Sequence, residues 1–114
     1  MNLKEIQDKL QLRPLTAPID PASIEVRAGY TSDMLSCVMT GAPSGSIWVT
    51  LMAHGNIIAV ATLLDIPAII ITENAQPDDS TLARASEKEI LLYSTNKPSF
   101  EIVSRLWEMG IRSQ

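Results

Sequence analysis

The sequence predicts an α/β fold: a single-domain three-layer sandwich, with a mostly parallel sheet of four or five strands and helices on both faces. Three observations lead there. From Ser46 onward a unit of apolar strand, polar junction and helix recurs, as 47–52 with 56–64, then 68–72 with 80–88, and last 90–94 with 99–109. The strand Ala68-Ile69-Ile70-Ile71 has no polar alternation, the mark of a strand covered on both faces of a parallel sheet. The links are short, as right-handed crossovers between neighbouring strands require.

Each element has a local reason. Leu3, Ile6 and Leu10 are spaced by three and four, which predicts a short amphipathic helix over 2–10 with Asn2 as its cap. Residues 12–16 read as a first strand, an outlier at an edge or antiparallel to the rest. Pro18 and Pro21 punctuate a loop. Ile24, Val26 and Ala28 then alternate with Glu25 and Arg27, predicting a half-buried strand. Residues 29–39 turn that strand into a helix: Gly29 frees the backbone, Thr31 or Ser32 caps the first turn, and Asp33 suits the helix dipole. Gly41-Ala42-Pro43-Ser44-Gly45-Ser46 precedes a strand instead of opening a helix, so it is a turn and not a phosphate loop.

The helix over 56–64 carries Ile57, Ile58, Ala59, Val60, Ala61, Leu63 and Leu64 and is apolar on nearly every side. It must be buried all round, either between neighbouring helices or against another protein surface such as a second copy. Trp48 and Trp107 read as anchors of the core or of an interface, and Cys37 and the five methionines as packing residues.

Composition narrows the function. With 114 residues the chain is one domain over 1–114, and 46% apolar residues argue against disorder. Nine basic against thirteen acidic residues give a net charge of −4 with no basic cluster, so neither nucleic acid nor an anionic membrane surface is an expected partner. The longest apolar run, 57–64, is too short to span a bilayer, and Met1-Asn2-Leu3-Lys4-Glu5 lacks the apolar core of a signal peptide, which predicts a cytoplasmic protein. One cysteine excludes an internal disulfide, and one cysteine with one histidine excludes a structural Cys/His zinc site. Glu73, Asp78 and Asp79 read as acids favoured at a helix start, so no metal and no cofactor are expected.

Ligands of parallel sheets collect at the carboxyl ends of the strands. Those ends supply Tyr30-Thr31-Ser32-Asp33, Thr50 with His54 and Asn56, Thr72-Glu73-Asn74, and Ser94-Thr95-Asn96-Lys97. This rim of hydroxyls and amides, with one imidazole and one ammonium, suits an anionic or nucleotide-like small molecule; it also suits plain helix capping. Thr31, Ser32, Asp33, His54 and Asn56 are the candidate ligand-binding residues. His54 is the one side chain that titrates near neutrality. A triad of Ser32 or Ser36, His54, and Asp33 or Asp65 can be written, but no Gly-x-Ser-x-Gly elbow accompanies it, so no enzyme is expected.

Gly29-Tyr30-Thr31-Ser32-Asp33-Met34-Leu35-Ser36, Ile47-Trp48-Val49-Thr50, His54-Gly55-Asn56-Ile57-Ile58-Ala59-Val60-Ala61, and Phe100-Glu101-Ile102 with Leu106-Trp107-Glu108-Met109-Gly110-Ile111 closely resemble the DRTGG domain family over nearly the whole chain. The sequence looks like the stand-alone form. Relatives occur fused to CBS domains, in some phosphate acetyltransferases and in family II pyrophosphatases, and a related fold forms the N-terminal domain of HPr kinase/phosphorylase. The chain departs from the pattern at Ala28, Cys37 and Ser104. The resemblance implies a non-catalytic regulatory or assembly module that forms a homodimer. Adenine nucleotides are the first ligands to consider, although the family pattern places them on the CBS part. The alternative is a structural adaptor that docks a partner enzyme through its apolar helix, with the rim serving as capping only.

Overall fold

The computed structural model describes residues 1–16 and 18–113; of the domain expected over 1–114, Ala17 and Gln114 lie outside the described residues. Five helices and five strands follow in the order α1 (Leu3–Lys9), β1 (Arg13–Pro14), β2 (Ala28–Thr31), α2 (Leu35–Gly41), β3 (Ser46–Thr50), α3 (Asn56–Leu63), β4 (Ala68–Ile71), α4 (Asp79–Glu87), β5 (Leu91–Ser94) and α5 (Ser99–Glu108), with a 3₁₀ turn at Pro21–Ser23. The strands form one sheet in the order β1-β5-β4-β3-β2. The four strands β2 to β5 are parallel, and β1 pairs antiparallel with β5 at the edge. The three-layer α/β sandwich expected from the sequence is the observed architecture.

The strand order explains the layers. Strands β2, β3, β4 and β5 advance across the sheet in one direction, so crossovers of one hand put α2, α3 and α4 on the same face. Trp48, Ile69, Ile71 and Leu92 point to that face and pack with Val38, Ile57, Ile58, Ala61 and Ala85. The opposite face carries Ile47, Val49, Ile70 and Tyr93 under Leu3, Ile6 and Leu10 of α1 and Ile102 and Leu106 of α5. Ile69, Ile70 and Ile71 are wholly buried, each stabilising the fold by about 1.5–3 kcal/mol through removal from water. The unbroken apolar run is therefore a strand with a core on both sides.

This topology also settles how the apolar helix is covered. The middle helix α3 has the sheet beneath it and packs against both α2 and α4, so Ile57, Ile58, Val60 and Ala61 are buried within the chain itself. Ala59 and Leu63 face outward, Leu63 with 66% of its surface exposed. Of the two alternatives for 56–64, a central helix under its neighbours accounts for most of its apolar surface.

Three expectations are corrected. Of the alternating stretch 24–28 only Ala28 belongs to the sheet: β2 begins there, and the chain's first residues bond to the stretch before it, Leu3 N donating to Ile24 O at 2.9 Å and Val26 N to Met1 O at 2.9 Å. Alternation there records burial of one side against α1, which any extended segment on a core shows. The first strand is shorter than 12–16, because its ladder is finished by a side chain. Thr16 Oγ1 donates to Ile90 O and accepts from Leu92 N, both at 2.9 Å. Pro14 is tolerated because β1 is an edge strand. Cys37 lies exposed on α2 with its sulfur 3.6 Å from Met34 Sδ, and Met34 and Met39 are also exposed, so these three are not core packing.

Inside the core, polar atoms are paired. The Tyr93 hydroxyl donates to Gln7 Oε1 at 2.9 Å, and burial together with the nearby Asp8 charge pushes its pKa up to about 12. At the start of α4, Asp78 accepts from the Thr81 hydroxyl at 2.7 Å, from Thr81 N at 2.9 Å and from the Ser80 hydroxyl at 3.1 Å. The Thr81 hydroxyl first, then its N–H and Ser80, hold the Asp78 carboxyl below its ordinary value of 3.8. A carboxylate with a lowered folded-state pKa stabilises above the unfolded value and loses that contribution as pH falls through the folded one. Asp78→Asn is expected to flatten the acid limb of a pH-dependent unfolding series below about pH 4 and to fray α4, measured by circular dichroism. An unchanged acid limb would show that the cap is not coupled to folding.

Candidate functional site

The strand-end rim is built from two groups of residues that differ in how much of their bonding capacity is spent. At the end of β2, Thr31 Oγ1 donates to Val49 O at 2.9 Å. Ser32 Oγ accepts from Met34 N at 3.1 Å, and Ser32 O accepts from the Trp48 indole at 3.1 Å. Asp33 Oδ1 accepts from Thr50 Oγ1 at 2.7 Å and from Leu51 N at 2.8 Å. Thr31, Ser32 and Asp33 thus clasp the end of β3, which corrects their expected role as helix caps. Helix α2 starts later, with Met34 at the N-cap and no side-chain cap at all.

His54 and Asn56 lie at the start of α3, and both are exposed. Among the described residues neither side chain makes a hydrogen bond, and α3 has no side-chain cap. The residue between them, Gly55, sits under Arg84: a Cβ there would meet the guanidinium Nη1 at 2.9 Å. Imidazole, amide and guanidinium therefore surround a helix start whose first N–H groups carry partial positive charge. The five candidate residues fall along one edge of the sheet, but no bond joins the Thr31–Asp33 group to the His54–Asn56 pair. Asp33 and Ser32 are occupied elsewhere, and among the described residues no His54 side-chain bond exists to assemble a triad.

The starts of α4 and α5 are filled by the chain's own carboxylates. Asp78 caps α4, and Glu73 Oε2 accepts from Ser99 N at 2.9 Å at the start of α5. Glu73 and Asp78 are thereby committed to different helices.

Sequence reasoning missed an apolar face on α5. Phe100 is 87% exposed and Trp107 54% exposed, with Val103 half-buried between them. The signal was present as a second stripe, Phe100, Val103 and Trp107 at spacings of three and four, beside the core stripe of Ile102 and Leu106. Two clefts flank this face, one of about 640 Å³ with Ser99, Ser104 and Glu108 and one of about 260 Å³ with Tyr30, Ile111 and Arg112. They share Thr31, Val103 and Trp107. The Arg112 guanidinium lies 4.1 Å over the Trp107 ring, and Gly29 N donates to Arg112 O at 2.8 Å. A side chain at position 29 would meet Ile111 Cγ2 at 2.9 Å, so glycine lets the chain's end close on the edge of β2. Thr31 accordingly stands where the rim meets the apolar face.

No family model and no curated protein matches the chain. Among solved structures it is similar to the crystal structure of the CBS and DRTGG domains of the regulatory region of Clostridium perfringens pyrophosphatase complexed with activator, diadenosine tetraphosphate. The TM-score is 0.76 at 18% sequence identity, over 98% of this chain and 48% of that one. The likeness is one of fold, and this chain spans about half the length of that regulatory region.

Proposed function

We propose that the chain is a non-catalytic regulatory module of the cytoplasm that self-associates and senses a small anionic or nucleotide-like ligand at its strand-end rim. The observation that carries this reading is the meeting of the rim with the exposed face of Phe100, Val103 and Trp107 at Thr31. An apolar face rimmed by polar residues marks a protein contact, and the simplest occupant is a second copy. His54 and Asn56 contact the ligand, assisted by Arg84 beside Gly55. Thr31, Ser32 and Asp33 carry the change onward, since one continuous segment bonds the end of β3 and, through Thr31, lines the clefts beside the α5 face. The fold supports this reading, being shared with a regulatory region that binds a nucleotide activator.

The test is an amide-spectrum titration of the full chain with diadenosine tetraphosphate and simpler adenine nucleotides. Saturable shifts at Thr31, Ser32, Asp33, His54 and Asn56, lost in His54→Ala, are expected. If those five residues stay unmoved, the ligand part is wrong. One observation favours the adaptor alternative, because Thr31, Ser32 and Asp33 are all satisfied within the chain. A silent titration combined with capture of a partner enzyme would establish it.

A further inference from the structure

The helices after β4 and β5 leave the sheet on opposite faces, α4 packing with Ala85 on one and α5 with Ile102 and Leu106 on the other. Diverging connections from adjacent parallel strands open a crevice beyond their carboxyl ends, the place where sheets of this type bind ligands. In this sheet the divergence falls between β4 and β5, and a cleft of about 320 Å³ is found beside it. Because β1 is antiparallel to β5, its first residue Arg13 pairs with the last residue of β5, Ser94, and is carried to the same rim.

The cleft is lined by Gln11, Arg13, Asn74, Gln76, Asn96 and Lys97, above Ser94 and Thr95. Among the described residues its lining holds two cations and four amides, and no carboxylate, in a chain whose net charge is −4. Arg13 makes no side-chain hydrogen bond or ion pair among the described residues, and Lys97 has only a surface pair with Glu101 at 3.4 Å, which holds it weakly. Glu73, which precedes Asn74 outside the lining, is engaged by Ser99 N. The walls are fixed to each other: Glu73 N donates to Lys97 O and Asn74 N to Thr95 O, both at 3.0 Å, and Lys97 N donates to Thr95 Oγ1 at 3.2 Å. Gln11, Glu73 and Asn74 hold left-handed backbone at φ 52°, 60° and 60°, a conformation that residues other than glycine uncommonly adopt.

We infer that this crevice is a binding site for a small phosphorylated or carboxylated polyol, its oxyanion gripped by Arg13 and Lys97 and its hydroxyls by the surrounding amides. The guanidinium fork matches a phosphate or carboxylate in two parallel bonds, and amides both donate to and accept from hydroxyl groups. Among the described residues no aromatic side chain lines the cleft, so it offers a nucleobase no stacking surface. The site is separate from His54 and Asn56, which follow β3: β5 and β3 are two strand spacings apart, about 10 Å.

Calorimetric and amide-shift titrations of the full chain with glucose 6-phosphate, gluconate and inorganic phosphate test it. Saturable shifts at residues 11–13, 74–76 and 94–97 are expected, with glucose 6-phosphate or gluconate binding more tightly than phosphate; which of the two binds better identifies the oxyanion. Arg13→Ala should weaken binding by roughly tenfold or more, and Arg13→Lys should not restore it, since the fork is lost. Arg13 is exposed, so these variants fold, and His54→Ala should leave this binding unchanged while removing any response at the start of α3. No saturable shift up to about 10 mM, a concentration that detects even millimolar affinity, overturns the site, as does binding that survives Arg13→Ala. Polyol ligands no tighter than phosphate overturn the ligand class.

Discussion

Trp48→Ala is expected to remove about 3–5 kcal/mol of folding stability, the usual loss for a large aromatic side chain deleted from a core. Trp48 is wholly buried in the interior strand β3 and packs among the residues of α2 and α3. For a chain of this length the loss corresponds to a fall in melting temperature of about 15 °C or more. The indole also donates to Ser32 O at 3.1 Å, so the variant frees the rim segment as well as opening a cavity. Trp48→Phe separates the two effects: it keeps most of the ring and should cost about 1–2 kcal/mol, while the Ser32 and Asp33 amides broaden or shift. Urea unfolding and an amide spectrum read both. A Phe variant with an undisturbed Ser32–Asp33 segment would show that the indole bond does not hold the rim.

The second large effect concerns assembly. Phe100→Asp combined with Trp107→Asp should weaken self-association by at least about thirtyfold, the equivalent of 2 kcal/mol for losing a central aromatic anchor. Both side chains are exposed, so thermal stability of the single chain should change little. Leu63→Asp, on the outward side of α3, serves as the control, since it adds a charge to an exposed apolar position away from the proposed interface. Sedimentation velocity across a concentration series measures the shift. Dimerisation lost in Leu63→Asp and kept in the double variant would move the interface to α3.

The choice of α5 over α3 as the contact face shows how far the sequence could be read. The all-apolar pattern of 57–64 correctly announced burial, yet pattern alone carries no information about what does the burying. That answer lies in the strand order, because a sheet that advances steadily from β2 to β5 stacks three helices on one face and leaves two to cover the other. Helix α5 is then left with an open flank over β2, where Phe100 and Trp107 lie. The strands 68–71 and 91–94 were legible because a short, continuous apolar run between polar junctions is what burial on both faces of a sheet demands. The stretch 24–28 was not, since a period of two reports one-sided burial whether the backbone bonds to a strand or, as here, to the start of α1.

The rim was legible as an inventory and not as a set of roles. Ser and Thr at a strand–helix junction are the ordinary caps, and nothing in Tyr30-Thr31-Ser32-Asp33 shows that Asp33 reaches across to Thr50 and Leu51. Arg13 and Arg84 were invisible as rim residues because they come from β1 and α4, elements whose approach to the strand ends depends on topology alone.

Sedimentation equilibrium of the full chain, with and without diadenosine tetraphosphate, tests most directly whether a ligand-sensitive dimer forms. A reversible dimer at twice the 12.5 kDa of one chain is expected, with a dissociation constant that moves on adding the nucleotide. A single 12.5 kDa species at every concentration, unmoved by the nucleotide, would contradict it.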